Sequence, residues 1–301
     1  MREEFKGMVS IVVTYIIWGT QSLYWRTFGS TDLSYIMAHR ILWSALIAVV
    51  LLIALGRKEE LIQSFLNKRQ LVLSFIGAIA IGLNWFLNIY AAATKQLVEA
   101  SIGQYITPII VILIGVLIFK ETIKLSQKIA IFFVVVAIGT YIFRIGRIPL
   151  IAIFLIITFV LYTYIKKVNP SKALTGIALE SILLTPFVLS YLIFQKTQGI
   201  PFFFLEDTRT ILLLISTGFF TLIPLLLFSY GVKRMDFSKL GFLQYTAPSI
   251  SLLIGICIFK EPFDWTHLLV LLFIWISIVF VWILPFFLKR DHLGYDKSDV
   301  A

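Results

Sequence analysis

A single cysteine, Cys257, excludes a disulfide framework and a cysteine-based zinc site, and its apolar surroundings suit an inert thiol. Histidine is almost as scarce. His39, His267 and His292 stand far apart, and no His/Cys/Asp/Glu cluster with metal-ligand spacing accompanies them. Nor does any His-Glu-x-x-His, Gly-x-Ser-x-Gly or Gly-x-x-x-x-Gly-Lys-Ser/Thr motif occur, which argues against a zinc protease, a serine hydrolase and a nucleotide-driven pump. Charged residues make up only 14% of the chain, where soluble domains carry about a quarter. No long polar stretch could form an extramembrane domain. These shortages predict a protein that is not an enzyme and holds no resident cofactor or metal.

Apolar sequence is what the chain has in excess. Hydrophobic residues reach 59% and mean hydropathy is +0.96, so too little polar sequence exists to coat a soluble core. A helix needs about 20 apolar residues to cross a hydrocarbon core of about 30 Å. Ten segments meet or approach that length: 7–25, 35–55, 71–93, 100–119, 125–143, 148–165, 173–194, 211–232, 240–259 and 265–288. Their continuous apolar runs lack the alternation of a β-barrel. The first carries Trp18 where a signal peptide needs a small residue, so it reads as a retained span. A formal charge of +10 raises nucleic acid as a partner, yet the cationic residues form short clusters between apolar runs, not a stripe. With the N-terminus inside, 18 of the 26 lysines and arginines occupy inner segments and seven outer ones, while Arg40 lies within a span. That asymmetry predicts a multi-pass plasma-membrane protein with both termini cytoplasmic and no nucleic-acid partner.

The stretch 99–123 returns as 239–263. Gln104/Gln244, Tyr105/Tyr245, Pro108/Pro248, Gly115/Gly255, Lys120/Lys260 and Glu121/Glu261 are identical pairs 140 residues apart. Ten spans then divide into two units of five, 1–144 and 145–301, and an odd-numbered unit must enter the membrane in opposite senses. The expected fold is an all-α membrane protein of ten transmembrane helices in two inverted five-helix repeats, with Lys120 at the inner face and Lys260 at the outer.

These features together resemble the drug/metabolite transporter superfamily and, within it, the EamA family. The resemblance rests on the first span reading Tyr15-Ile16-Ile17-Trp18-Gly19 and on the proline-containing fourth span ending in Phe119-Lys120-Glu121. The patterns around His39-Arg40, Gly82-Leu83-Asn84-Trp85 and Gly241-Phe242-Leu243-Gln244-Tyr245 are similar to its RarD subgroup. The resemblance implies a permease for small metabolites, often an exporter of amino acids, amines or amphipathic drugs, and leaves the cargo open. A flippase for a lipid or lipid-linked intermediate is the rival reading. Protons are the candidate coupling ion, and a monomer is expected.

Charge inside a bilayer is costly, so intramembrane ionisable groups are candidate functional residues. Arg40 and Glu180 occupy matching repeat positions. Either they snorkel to the nearer interface, or Arg40 attracts an anionic group while Glu180 serves as cation partner or proton site. His39 and Trp43 share one face of the second helix by their i,i+4 spacing, and His39 is either a titrating group or hydrogen-bonded at the interface. Asn84, with Trp85 beside it, and Asn88 either contact a polar solute or tie helices together. Gln104-Tyr105 and Gln244-Tyr245 precede the hinge candidates Pro108 and Pro248. Proline frees backbone carbonyls that must face protein or a water-lined cavity, so these four side chains are expected to line a substrate site, the alternative being a structural kink at which they only bond the freed carbonyls.

Overall fold

The structure, a computed structural model, describes residues 2–29, 31–94, 97–123, 125–145, 150–201, 208–258, 260, 272 and 276. These residues form α1 (Arg2–Arg26), α2 (Leu33–Ala54), α3 (Lys58–Leu66), α4 (Lys68–Ala93), α5 (Leu97–Leu117), α6 (Leu125–Ile145), α7 (Leu150–Val168), α8 (Ala173–Thr197), α9 (Thr208–Val232), α10 (Phe237–Gln244) and α11 (Thr246–Cys257), and no strand. Six helical rods, namely α2, α4, α7, α8, α9 and α10 with α11, are long and apolar enough to cross a membrane. Helices also occupy the expected first, fourth and fifth spans, whereas the tenth, 265–288, lies outside the described residues apart from two positions. Helix α3 was not expected. Arg57 and Lys172 grip its Glu60 and hold that carboxyl down to about 2.

The bundle is built for lipid. Phe143, Leu212 and Phe187 are 91%, 62% and 58% exposed, whereas Thr14, Ser74, Thr163 and Thr217 are fully buried. Several buried hydroxyls bond to their own helix, as when Thr14 Oγ1 donates to the Ser10 carbonyl at 2.8 Å. Because lipid is as apolar as leucine, helix association depends on close packing by small residues. A Cβ on Gly231 of α9 would lie 2.8 Å from the Gly7 carbonyl of α1.

The repeat is visible in the helix boundaries. Helices α2 and α8 start 140 residues apart, as do α4 and α9, and α5 and α10. Lys120 and Lys260 share the left-handed conformation, with φ of 54° and 55°. After α5 this conformation lets Glu121 N–H return to the Gly115 carbonyl at 3.0 Å, closing the helix end. Repeat mates also cross antiparallel. Ser44 meets Ser181 and Asp32 meets Tyr191 along α2 and α8, while Tyr105 meets Tyr245 and Glu121 meets Phe237 along α5 and α10.

Pro108 stays inside one continuous helix. Near Pro248 the junction of α10 and α11 at Tyr245 keeps a near-helical backbone, φ −63° and ψ −15°. The expected breaks are therefore mild.

Candidate functional site

A cavity of about 560 Å³ lies between α1, α2, α4, α5, α7 and the α10–α11 rod. Its lining residues come from the last turns of α1 (Trp25), the first turns of α2 (Arg40), the second half of α4 (Asn84, Trp85), the first half of α5 (Gln104) and the α10–α11 junction (Gln244). Helix pairs run antiparallel, as Glu3 with Arg234 at one end of α1 and Tyr24 with Leu213 at the other show. All these segments therefore fall in the half of the bundle remote from the N-terminus.

Arg40 is the only charged side chain among the described lining residues. It enters from α2 about 10 Å below the helix start, at 1.5 Å per residue. Its guanidinium carbon sits 4.1 Å from the Trp85 ring centroid and 5.2 Å from that of Trp25. Nε donates to Thr221 Oγ1 of α9 at 3.1 Å. Such cation–π contacts stabilise a desolvated cation by up to about 2 kcal/mol each, and they fix the guanidinium plane without neutralising it. No acidic side chain is among the described lining residues.

The opposite half is closed by polar pairs. Both carboxylate oxygens of Glu180 receive Lys166 Nζ, at 2.8 and 2.7 Å, and both side chains are buried. Glu121 accepts from the backbone N–H groups of Phe237 and Ser238, each at 2.8 Å, and from Ser238 Oγ at 2.7 Å. It thereby supplies α10 with the anionic cap that its exposed N–H groups and dipole favour. Lys233 donates to the carbonyls of Asn169 and Ser171, and Lys239 pairs with Glu4.

The structure brings Arg40, Asn84, Trp85, Asn88, Gln104 and Gln244 to this cavity, with Pro248 in its wall. Asn84 also ties α4 to α7, donating to the Leu155 carbonyl and Thr158 Oγ1 at 3.0 Å each. It does not bring the other named residues there. His39 is fully buried with its ring 4.5 Å from that of Tyr35, and Trp43 packs against Gly218. Tyr245 is fully buried and donates to the Tyr105 carbonyl at 3.1 Å, so neither tyrosine lines the cavity. Pro108 is likewise outside the lining, and Glu180 faces Lys166, not Arg40.

Sequence reasoning passed over Trp25, Thr221 and Lys166. A signal for Lys166 did exist. It lies 140 residues after Arg26, as Glu180 lies 140 after Arg40, so the paired cation and carboxylate of one repeat match two cations in the other.

The family model of the EamA-like transporter family matches residues 5–143 and, a second time, residues 147–283. The chain is 34% identical to the uncharacterized transporter YojE of Bacillus subtilis, over 92% of this chain and 93% of that protein. It is 33% identical to the protein RarD of Streptomyces exfoliatus, over 86% and 82% of the two chains, and 27% identical to the protein RarD of Escherichia coli, over 91% and 92%. A crystal structure of a protein 16% identical superposes with a TM-score of 0.68 over 94% of this chain and 98% of that one, which shows a shared fold.

Proposed function

The chain belongs to the EamA-like transporter family, and on that premise we propose that it is a secondary permease exporting small metabolites by alternating access. Multiple apolar helices and these relatives make it a multi-pass membrane protein whose relatives are named transporters. The observation that carries the mechanism is the one-sided cavity, open space in one half of the bundle and the buried Lys166–Glu180 ion pair in the other. Antiparallel repeat mates support ten spans in two inverted halves, 1–144 and 145–301. If the halves exchanged conformations, the closed end would open and the open end would close. The cation asymmetry favours cytoplasmic termini in the plasma membrane, which turns the cavity in this state outward. Cargo drawn from amino acids, amines and amphipathic drugs fits a cavity whose walls mix indoles with amides. The working unit is a monomer, with protons the candidate coupling ion.

The test is reconstitution into liposomes, measuring efflux of labelled amino acids and amines beside scrambling of a fluorescent phospholipid in the same vesicles. Solute efflux without scrambling supports the permease. Scrambling without efflux makes the protein a lipid flippase instead.

A further inference from the structure

We propose that the cavity selects solutes carrying one anionic group on a planar apolar body, with the anion seated on Arg40 and the body held between indole rings. The proposal rests on the permease reading and narrows its cargo, since cationic amines are excluded.

Charge is the first ground. A buried cation is tolerated when paired, and the comparison inside this chain is direct. In the half remote from the cavity, Lys166 is neutralised by Glu180. The position matching Glu180 in the other repeat is Arg40, a cation, and no acidic side chain is among the described lining residues of the cavity that Arg40 enters. An anion brought by the solute would supply there what Glu180 supplies at the opposite end. A cationic solute would meet Arg40 with no acidic lining residue to offset the repulsion.

Geometry is the second ground. Stacking against Trp85 and Trp25 holds the guanidinium plane while Thr221 takes only Nε. Among the described residues the terminal NH groups of Arg40 have no hydrogen-bond partner, and they suit the two-point recognition of a carboxylate or a similar oxyanion. Trp18 also lines the cavity, and its ring belongs to the Phe159–Phe228 aromatic cluster, so the walls offer flat apolar faces near the cation. Gln104 and Gln244 add amide groups that fix orientation without adding charge.

The test uses the purified full chain in detergent and three probes sharing one ring: indole acetate, indole acetamide and tryptamine. Thermal stabilisation is titrated for each. Indole acetate is expected to act at concentrations about tenfold to a hundredfold below the amide, the range of one charge-assisted hydrogen-bonded contact, and tryptamine is expected to have no effect. Arg40→Gln should bring the acetate to the amide's level. Arg40→Lys, which keeps charge but loses the fork, should retain a weaker anion preference and decides the matter if the glutamine variant does not fold. The proposal is overturned if no probe stabilises the wild type, if amide or amine acts as well as the acid, or if the preference survives Arg40→Gln. Absence of any anion preference in a wild-type protein that still passes solute in liposomes overturns this inference alone. Anion binding without flux overturns the permease alone.

Discussion

Lys166 Nζ lies 2.7 Å from Glu180 Oε2 and 2.8 Å from Oε1, a two-point ion pair between the end of α7 and the second turn of α8. Both side chains are almost fully withdrawn from solvent. Breaking such a pair leaves an uncompensated buried charge and costs about 3–5 kcal/mol, whereas replacing both partners with apolar residues can be neutral.

Glu180→Gln and Lys166→Met should therefore each lower the melting temperature of the purified protein markedly, and the double variant Lys166→Met/Glu180→Leu should recover most of the loss. Differential scanning fluorimetry in detergent reads this. Additive losses in the double variant would show that the two groups act separately.

A second expectation concerns Gly115. A Cβ there would stand 2.6 Å from Glu121 Oε2 and 2.9 Å from Phe237 Cβ. Gly115→Ala should push Glu121 off the N-terminus of α10, removing a cap of about 0.5–2 kcal/mol and adding steric cost. Glu121→Ala should lose only the cap. Gly115→Ala in the Glu121→Ala background should thus cost less than it does alone, and equal costs in the two backgrounds would disprove the coupling.

Lys233, in the turn between α9 and α10, gives a pH signature. Burial lowers its amine to about 8, and the nearby Lys166 charge adds to the shift, while Glu180 opposes it. A cation whose folded value falls below its unfolded value of about 10.5 penalises the fold while protonated. That penalty is full below pH 8 and fades as pH rises towards 10.5, because the unfolded chain then binds more protons. Stability should rise across this window, and Lys233→Met should flatten the rise. A wild-type curve already flat between pH 8 and 10 would contradict it.

Depth was legible in the sequence, and azimuth was not. Hydrophobic length and the 140-residue spacing located helices α1 to α11 apart from α3, a short helix hidden in a charged segment. The same information placed Arg40 and Glu180 at depths in opposite halves. It carried no signal for which way a side chain points around its helix. Tyr245 was expected in the cavity for its proximity to Pro248, yet it turns inward to the Tyr105 carbonyl, while Gln244 one residue away lines the cavity. Lys166 closes an apolar run and so reads in sequence as one of the inner-segment cations, yet its partner follows 14 residues later across a hairpin. Loop counting does not distinguish a lysine facing water from one turned into the bundle.

The last prediction tests inversion itself. Lys120 and Lys260 are both exposed, both left-handed in φ, and placed just beyond the ends of repeat-mate helices. Helices α5 and α10 cross antiparallel where they meet, from Tyr105–Tyr245 to Glu121–Phe237. If that relation holds across the bilayer, cysteines at the two positions must face opposite compartments. In a Cys257→Ala background, Lys120→Cys should be blocked by a membrane-impermeant thiol reagent only in inside-out vesicles, and Lys260→Cys only in intact cells. Each position already tolerates a non-glycine residue at positive φ, so cysteine adds little strain beyond the roughly 1–2 kcal/mol that any side chain meets there. Labelling of both from one side would remove the opposed halves, and with them the symmetry that lets one closed end become the other.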